Sequence, residues 1–272
     1  QLLPVTMKKR AFALLLAAAT GCFAGPEIIA RHAAAEPTVD GRLDEPDWKT
    51  VHWVTLDGSR PALPRSDMEW EEIYRAAGTV DYAREQFAQS VRAAALWTAS
   101  GLCFAFEVED ADITARLKDG DTLWLEDVVE LFLARHARPG EPFLELQLSP
   151  ANAVYLVPPP GKTLPRPRTG VAVDGTLNRS LERDRKWTAE LFLPWDELER
   201  AGLAERPGAG NGGTVAAVRF AAWDLSIYSQ LRLNRFTTPG RANPAFPEFY
   251  RPLRLVSPPA SASEAGDRPH SP

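Results

Sequence analysis

Apolar and polar residues alternate with period two in a succession of short runs along this chain, and turn-forming residues separate the runs. Residues 91–97 and 102–109, joined by Thr98-Ala99-Ser100-Gly101, read as one hairpin. Residues 128–134 and 143–149, joined through Arg138-Pro139-Gly140-Glu141-Pro142, read as a second. Further strands are expected at 153–157, 187–193, 215–225 and 253–256, with a helical turn over 195–201 directly after Pro194. Two stretches break the pattern. Residues 66–90 space Met68, Trp70, Ile73, Tyr74, Tyr82 and Phe87 in a roughly helical manner among many charges, which predicts one or two short inserted helices. Residues 157–170 contain Pro158-Pro159-Pro160 and cannot form a paired central strand, so they read as a surface loop. Residues 37–256 are therefore expected to form one all-β domain, a β-sandwich of two antiparallel sheets with a short helical insertion.

Strand parity sorts the side chains further. Leu144, Leu146 and Leu148 face one way, with Glu145 and Gln147 on the other side. Val129, Leu131 and Leu133 oppose Glu130, and Phe104, Phe106 and Val108 oppose Glu107. If these strands are neighbours, Glu107, Glu130, Glu145 and Gln147 collect on one surface. That surface reads either as the water-facing side that any antiparallel sheet has or as a groove of acceptors for sugar hydroxyls, which both donate and accept. A glycosidase needs two carboxyl groups opposed across the scissile bond, one of them in a dry site. Carboxylates spread over an exposed sheet do not meet that need, so no enzymatic activity is expected.

Composition narrows the partners. The chain has 272 residues, a formal charge of −5 and a pI near 5.5, which excludes the dense basic surface of a nucleic-acid binder. Eight tryptophans are many for one chain; most are expected in the core, and a sugar-binding surface would also need such flat apolar faces. Near the N-terminus, Lys8, Lys9 and Arg10 precede the apolar stretch 11–19 and then Ala19-Thr20-Gly21-Cys22, a permissive lipobox. Met7 reads as the initiator and residues 1–6 as an upstream extension, so residues 1–22 form a signal segment. Lipidation of Cys22 would give an outer-membrane lipoprotein of a bacterial cell envelope, with residues 23–36 as tether. Cleavage by ordinary signal peptidase would instead release a periplasmic or secreted protein. The tail 257–272 is rich in Pro, Ser and Ala and is expected to lack a fixed fold. Cys103 lies in an apolar run without a disulfide partner and reads as a small hydrophobe.

Metal chemistry has one foothold. His32, His52, His136 and His270 are scattered, and no spacing suits a transition metal. Asp110 and Asp112, with Asp119 and Asp121 nearby, offer oxygen ligands for a structural calcium ion, or are simply solvated turn residues.

Five segments, in order, resemble the family 9 carbohydrate-binding modules. Asp40-Gly41-Arg42-Leu43-Asp44-Glu45-Pro46-Asp47-Trp48 is similar to the family's opening DG-x-LDE-x-x-W. Residues 93–110 resemble its Leu-x-Phe strand pair with an acidic end, and Trp124-Leu125-Glu126-Asp127-Val128-Val129-Glu130-Leu131-Phe132 its W-x-x-D-x-V-E-x-F. Residues 143–150 resemble its aromatic-x-E-x-x-x-N-P strand, with Ser149 in place of Asn. Trp187 to Trp195 resembles W-x-x-E-x-x-I-P-W, and 243–255 the closing segment. The resemblance implies a β-sandwich that binds an oligo- or polysaccharide without catalysis. It implies that Trp124 stacks on a sugar ring, that Glu130 and Gln147 contact hydroxyls, and that Glu145 lies beside them. The family's second clamping tryptophan has no counterpart here, and Phe246 is the nearest aromatic in that segment. Trp48, Trp187 and Trp195 fall at framework positions and are expected in the core. The same sandwich also resembles haem-binding electron-transfer domains, for which Met68 with His52 or His136 would be the axial candidates. A surface interaction domain with a decayed sugar site is the third reading.

Overall fold

In order along the chain, the strands are β1 (Ile28–His32), β2 (Val54–Thr55), β3 (Asp57–Ser59), β4 (Ser90–Trp97), β5 (Gly101–Glu109), β6 (Val128–Ala134) and β7 (Phe143–Leu148). They continue as β8 (Val154–Val157), β9 (Arg168–Asp174), β10 (Lys186–Pro194), β11 (Gly213–Asp224), β12 (Asn234–Thr237) and β13 (Arg251–Val256). One short helix, α1 (Trp195–Ala201), follows β10. The computed structural model describes residues 27–59, 90–179, 182–208, 213–224, 234–237, 247 and 250–257. The expected signal segment with Cys22, the inserted helices up to residue 89, Met68, Phe246 and the tail from residue 258 lie outside the described residues. Among the described residues, no helix is long and apolar enough to cross a membrane.

The strands form one continuous path, β8-β7-β6-β11-β13-β1-β4-β5-β10-β9, which curls so that its two halves face each other as a sandwich. Both hairpins legible in the sequence are present. Leu131 pairs Leu146 across β6 and β7, and Ala95 pairs Phe104 across β4 and β5. The apolar parity of each strand points between the halves, where Leu131, Leu146 and Val218 of one half meet Phe104, Phe106 and Leu191 of the other. Phe220 from β11 stands edge-on to Phe106 and Phe104 of β5, with centroids 5.5 Å and 6.0 Å away. Such contacts between distant strands supply most of the apolar burial that holds the fold.

Five strands, β1, β2, β3, β9 and β12, lie where the sequence suggested none, and β1 and β9 change the picture most. β1 falls in the segment read as a tether and runs parallel to both its neighbours, with Ile28 opposite Leu253 of β13 and Ala30 opposite Ala95 of β4. It is the strand that joins the two halves of the sandwich. Five residues carry too little local pattern to be told from a linker, and their partners are far away in the chain. β9 begins inside the stretch read as a surface loop and forms an edge beside β10, with Thr188 opposite Ala172. The prolines at 158–160 precede it, as their missing N–H groups require.

The outer face of the half containing β4, β5 and β10 is covered by residues 33–53. Trp48 in the 3-10 turn Pro46–Lys49 is buried there with Cys103, Ala105 and Phe192. Trp187 and Trp195 are buried as expected, and Trp195 Nε1 donates to the Thr98 carbonyl at 2.9 Å. Burial pushes the Cys103 thiol up, which keeps it protonated and inert.

Candidate functional site

The outer face of the other half is where the sequence-derived candidates meet. On β6, Val128, Glu130 and Phe132 point away from the core. The register sets Glu130 between Gln147 of β7 and Ala221 of β11, and Gln147 in turn opposite Tyr155 of β8. One position along, Val128 lies opposite Trp223. The turn Leu123–Leu125 that precedes β6 brings Trp124 to the same end of the face. Its indole meets the Tyr155 ring edge-on, with centroids 5.7 Å apart and planes at 77°. Trp124, Tyr155 and Trp223 are each half-buried around the small cluster Leu123, Val128 and Ala153. Leu125 beside them is 54% exposed. Tyr155 and Trp223 were not singled out as site residues from sequence, although both obey the parity of their strands.

Glu130, Glu145 and Gln147 come together as expected, but not on a wet surface. Glu130 is 3% exposed and Gln147 1% exposed. Gln147 Nε2 donates to Glu130 Oε1 at 3.0 Å and to Glu145 Oε1 at 2.7 Å. Two carboxylates flanking one amide fix its orientation, because only the NH₂ end can serve both. Burial raises the pKa of Glu145, and the hydrogen bond from Gln147 opposes that shift. Both amide hydrogens are thereby used, so this array offers acceptors, and a ligand reaching it must donate. Sugar hydroxyls can do so. Arg219 of β11 shares the face and is fully buried, the single charge in the apolar stretch 215–223.

Glu107 does not join this group. It sits on β5 in the other half of the sandwich, where Arg92 at 2.7 Å and Lys186 at 2.9 Å pair with it and hold its pKa down against burial. Parity told which side of its strand it occupies, but not which strands are its neighbours. The exposed His52 and His136 precede β2 and follow β6, in different halves of the sandwich, and Met68 lies outside the described residues.

The residues expected to hold calcium are partly regrouped. Asp110, directly after β5, is joined by Asp127 and Asp224, all buried, with one carboxylate oxygen of each lying within 4.8 Å of the others. Asp112 is not among these three. Its amide N–H donates to Asp110 Oδ1 at 2.9 Å, because the turn after β5 folds it back. Asp119 and Asp121 are exposed and elsewhere engaged, Asp119 with the Val154 amide and Asp121 with the Lys118 amide. Burial, and then the neighbouring Asp224, raise the Asp110 pKa well above the ordinary carboxylate range. All-oxygen donors of this kind suit a hard divalent cation such as calcium.

The opening Asp40 to Trp48 motif is far from this face and has a structural task. Glu190 of β10 accepts from Trp48 Nε1 at 2.7 Å, from the Gly41 amide at 2.8 Å and from the Asp40 amide at 3.2 Å. Gly41 adopts φ +85°, and a Cβ there would lie 2.3 Å from the Val171 backbone, so only glycine fits.

A sandwich that carries aromatic rings beside buried hydrogen-bonding groups on one sheet face has the layout of a small-ligand binding module. Solved structures narrow the fold. A family 9 carbohydrate-binding module from Caldicellulosiruptor kristjanssonii in complex with cellotriose is similar over 91% of this chain and 100% of its own, with TM-score 0.55 and 14% identity. The module from that organism in complex with glucose gives 0.53 and 13% over 86% and 99%. A putative carbohydrate-binding protein from Bacteroides uniformis ATCC 8492 gives 0.50 and 13% over 84% and 98%. The chain has the fold of the family 9 carbohydrate-binding modules. No family model matches its sequence, and no curated protein does.

Proposed function

We propose that this protein binds carbohydrate without catalysis, on the outer face of β6, β7, β8 and β11. Trp124 supplies a flat apolar surface for a sugar ring, with Tyr155 and Trp223 beside it, and Glu145, the accessible end of the Glu130–Gln147–Glu145 array, receives hydroxyl protons. The observation that carries this reading is the convergence of those aromatic and acceptor groups at one end of one sheet face, reached from four separate segments. The fold shared with modules solved with cellotriose and glucose supports gluco-configured oligosaccharides as the first ligands to test. Glu130 and Glu145 both face the same way from neighbouring strands and share one amide, an arrangement suited to recognition rather than to attack from opposite sides of a glycosidic bond.

Calorimetric titration with glucose, cellobiose and cellotriose tests the proposal. Binding is expected, and Trp124→Ala should weaken it about tenfold or more, in keeping with the roughly 1–3 kcal/mol carried by a stacking aromatic anchor. No heat at millimolar sugar, or equal affinity in Trp124→Ala, would sink it. The proposal extends to location: the signal segment and Cys22 argue for a domain tethered to a bacterial envelope. Cys22→Ser should release the protein from the membrane fraction, and a mature chain beginning at Gly25 would establish the soluble alternative instead.

A further inference from the structure

Within the acceptor array, Glu130 and Gln147 are buried and Glu145 is half-buried, so a ligand meets the Glu145 carboxyl group first. Glu145 lies between Phe132 of β6 and Val157 of β8 in the register. Phe132 is buried and Val157 is 39% exposed, which sets Glu145 at the open margin of the face beside the edge strand β8. Two residues along β7, Gln147 lies opposite Tyr155, whose ring meets Trp124. Two residues of strand cover about 6–7 Å, a distance that a sugar ring and its substituents span. A ring resting on Trp124 therefore brings a substituent, its own or its neighbour's, to Glu145.

The charge of Glu145 is unbalanced. It accepts from Gln147 Nε2 at 2.7 Å, and among the described residues no cation pairs with it. Several other half-buried carboxylates do have one: Glu107 has Arg92 and Lys186, Asp174 has Arg185, and Glu197 has Arg200. Arg219 shares the outer face, but Phe132 stands between it and Glu145 in the register. Gln147 Oε1, next to Glu145, is sealed from solvent and finds no donor among the described residues. Burial raises the Glu145 pKa against the Gln147 hydrogen bond alone, as expected of a carboxylate without a countercharge. A ligand hydroxyl would bring a donor and leave the charge unmet. An ammonium group would bring three donors and the opposite charge. A carboxylate ligand would add repulsion.

We propose that this site selects sugars carrying a protonated amino group, with the ammonium on Glu145 and the ring on Trp124. The proposal rests on the carbohydrate-binding reading above and narrows its ligand class to gluco-configured amino sugars. The formal charge of −5 on the chain favours the approach of such a cationic ligand.

Calorimetric titration of the purified full chain at pH 6, where the amines carry their charge, tests the proposal. Three β-1,4-linked trimers that differ only at C2 are compared: cellotriose, the glucosamine trimer and its N-acetylated form. The glucosamine trimer should bind about tenfold tighter than cellotriose, since charge-assisted hydrogen bonds are about twice as strong as neutral ones. The N-acetylated trimer, which has no charge, should lose that advantage. Glu145→Gln keeps the side-chain size and an acceptor, and should erase the preference. Added salt should shrink the preference in the natural protein, a readout that decides the matter if the variant does not fold. Trilysine, which has charge but no sugar ring, should not displace the glucosamine trimer. Equal affinity for the glucosamine trimer and cellotriose, a preference shared by the N-acetylated trimer, a preference that survives Glu145→Gln or high salt, or displacement by trilysine would overturn the proposal. In each of those cases cellotriose binding that is weakened by Trp124→Ala leaves the carbohydrate reading standing. If none of the three trimers binds, that reading fails and the amino-sugar proposal fails with it.

Discussion

The indole Nε1 of Trp48 donates to Glu190 Oε1 at 2.7 Å, joining the start of the domain to a strand 142 positions later. The same carboxyl group holds the Gly41 amide, so one buried acid fastens the whole opening loop over β10. Burial raises its pKa to about 7, against the hydrogen bonds from Gly41, Trp48 and Asp40 and with a further push from the charge of Glu45. A folded-state pKa above the unfolded value near 4.5 means stability is greatest below that lower value and declines as pH rises through 7. The Tm should therefore fall between pH 5 and pH 8, by an amount equivalent to about 2–3 kcal/mol. Glu190→Gln should lower the Tm at pH 5 and flatten this slope. A wild-type Tm that is constant or rising across the window would contradict the assignment.

Gln147 keeps two carboxylates apart by donating to both. Gln147→Leu should destabilise the protein by about 1–3 kcal/mol at pH 7, since two buried acceptors lose their donor. Lowering the pH to 4 should recover part of that loss, because protonation of Glu145, whose pKa burial raises, removes one of the two charges left without a donor. Urea unfolding of the variant at the two pH values measures the difference. A loss of equal size at both would mean that packing, not charge, accounts for the role of Gln147.

At Gly41 the positive φ coincides with backbone contact to Val171 and Ala172. Gly41→Ala should cost about 3 kcal/mol or more, from strain and from displacement of β9. Gly140 has a similar φ of +74° but open space around it. Its alanine variant should cost about 1 kcal/mol, and denaturant midpoints of the two variants would show whether crowding or φ dominates.

β1 carries the closure of the sandwich, although its residues read locally as linker. Ala30 is fully buried between β13 and β4. Hydrogen exchange at Ile29 to His32 should be as slow as in β4, and Ala30→Asp should abolish soluble folding. Fast exchange there would mean that the two halves close without this strand.

Much of this protein was legible before any coordinates. Period-two alternation is a property of neighbouring residues, so the hairpins β4–β5 and β6–β7, the inward leucines and the outward Glu130 and Gln147 follow from local order alone. Proline placement marked the start of α1 and the interruption before β9 in the same way. Pairing between distant strands has no such local record. Glu107 and Glu130 carry the same parity signal, yet β5 and β6 pair with different neighbours and place the two acids in opposite halves of the sandwich. Asp110 was visible as a candidate ligand, but its companions Asp127 and Asp224 are set by which strand ends converge, and Asp112 was displaced by a turn. Tyr155 joined Trp124 only because β8 pairs with β7 beside the turn before β6. Local sequence determines which way a side chain points from its strand. The company it keeps is decided by non-local pairing and by burial of the shared core, which tertiary structure alone supplies.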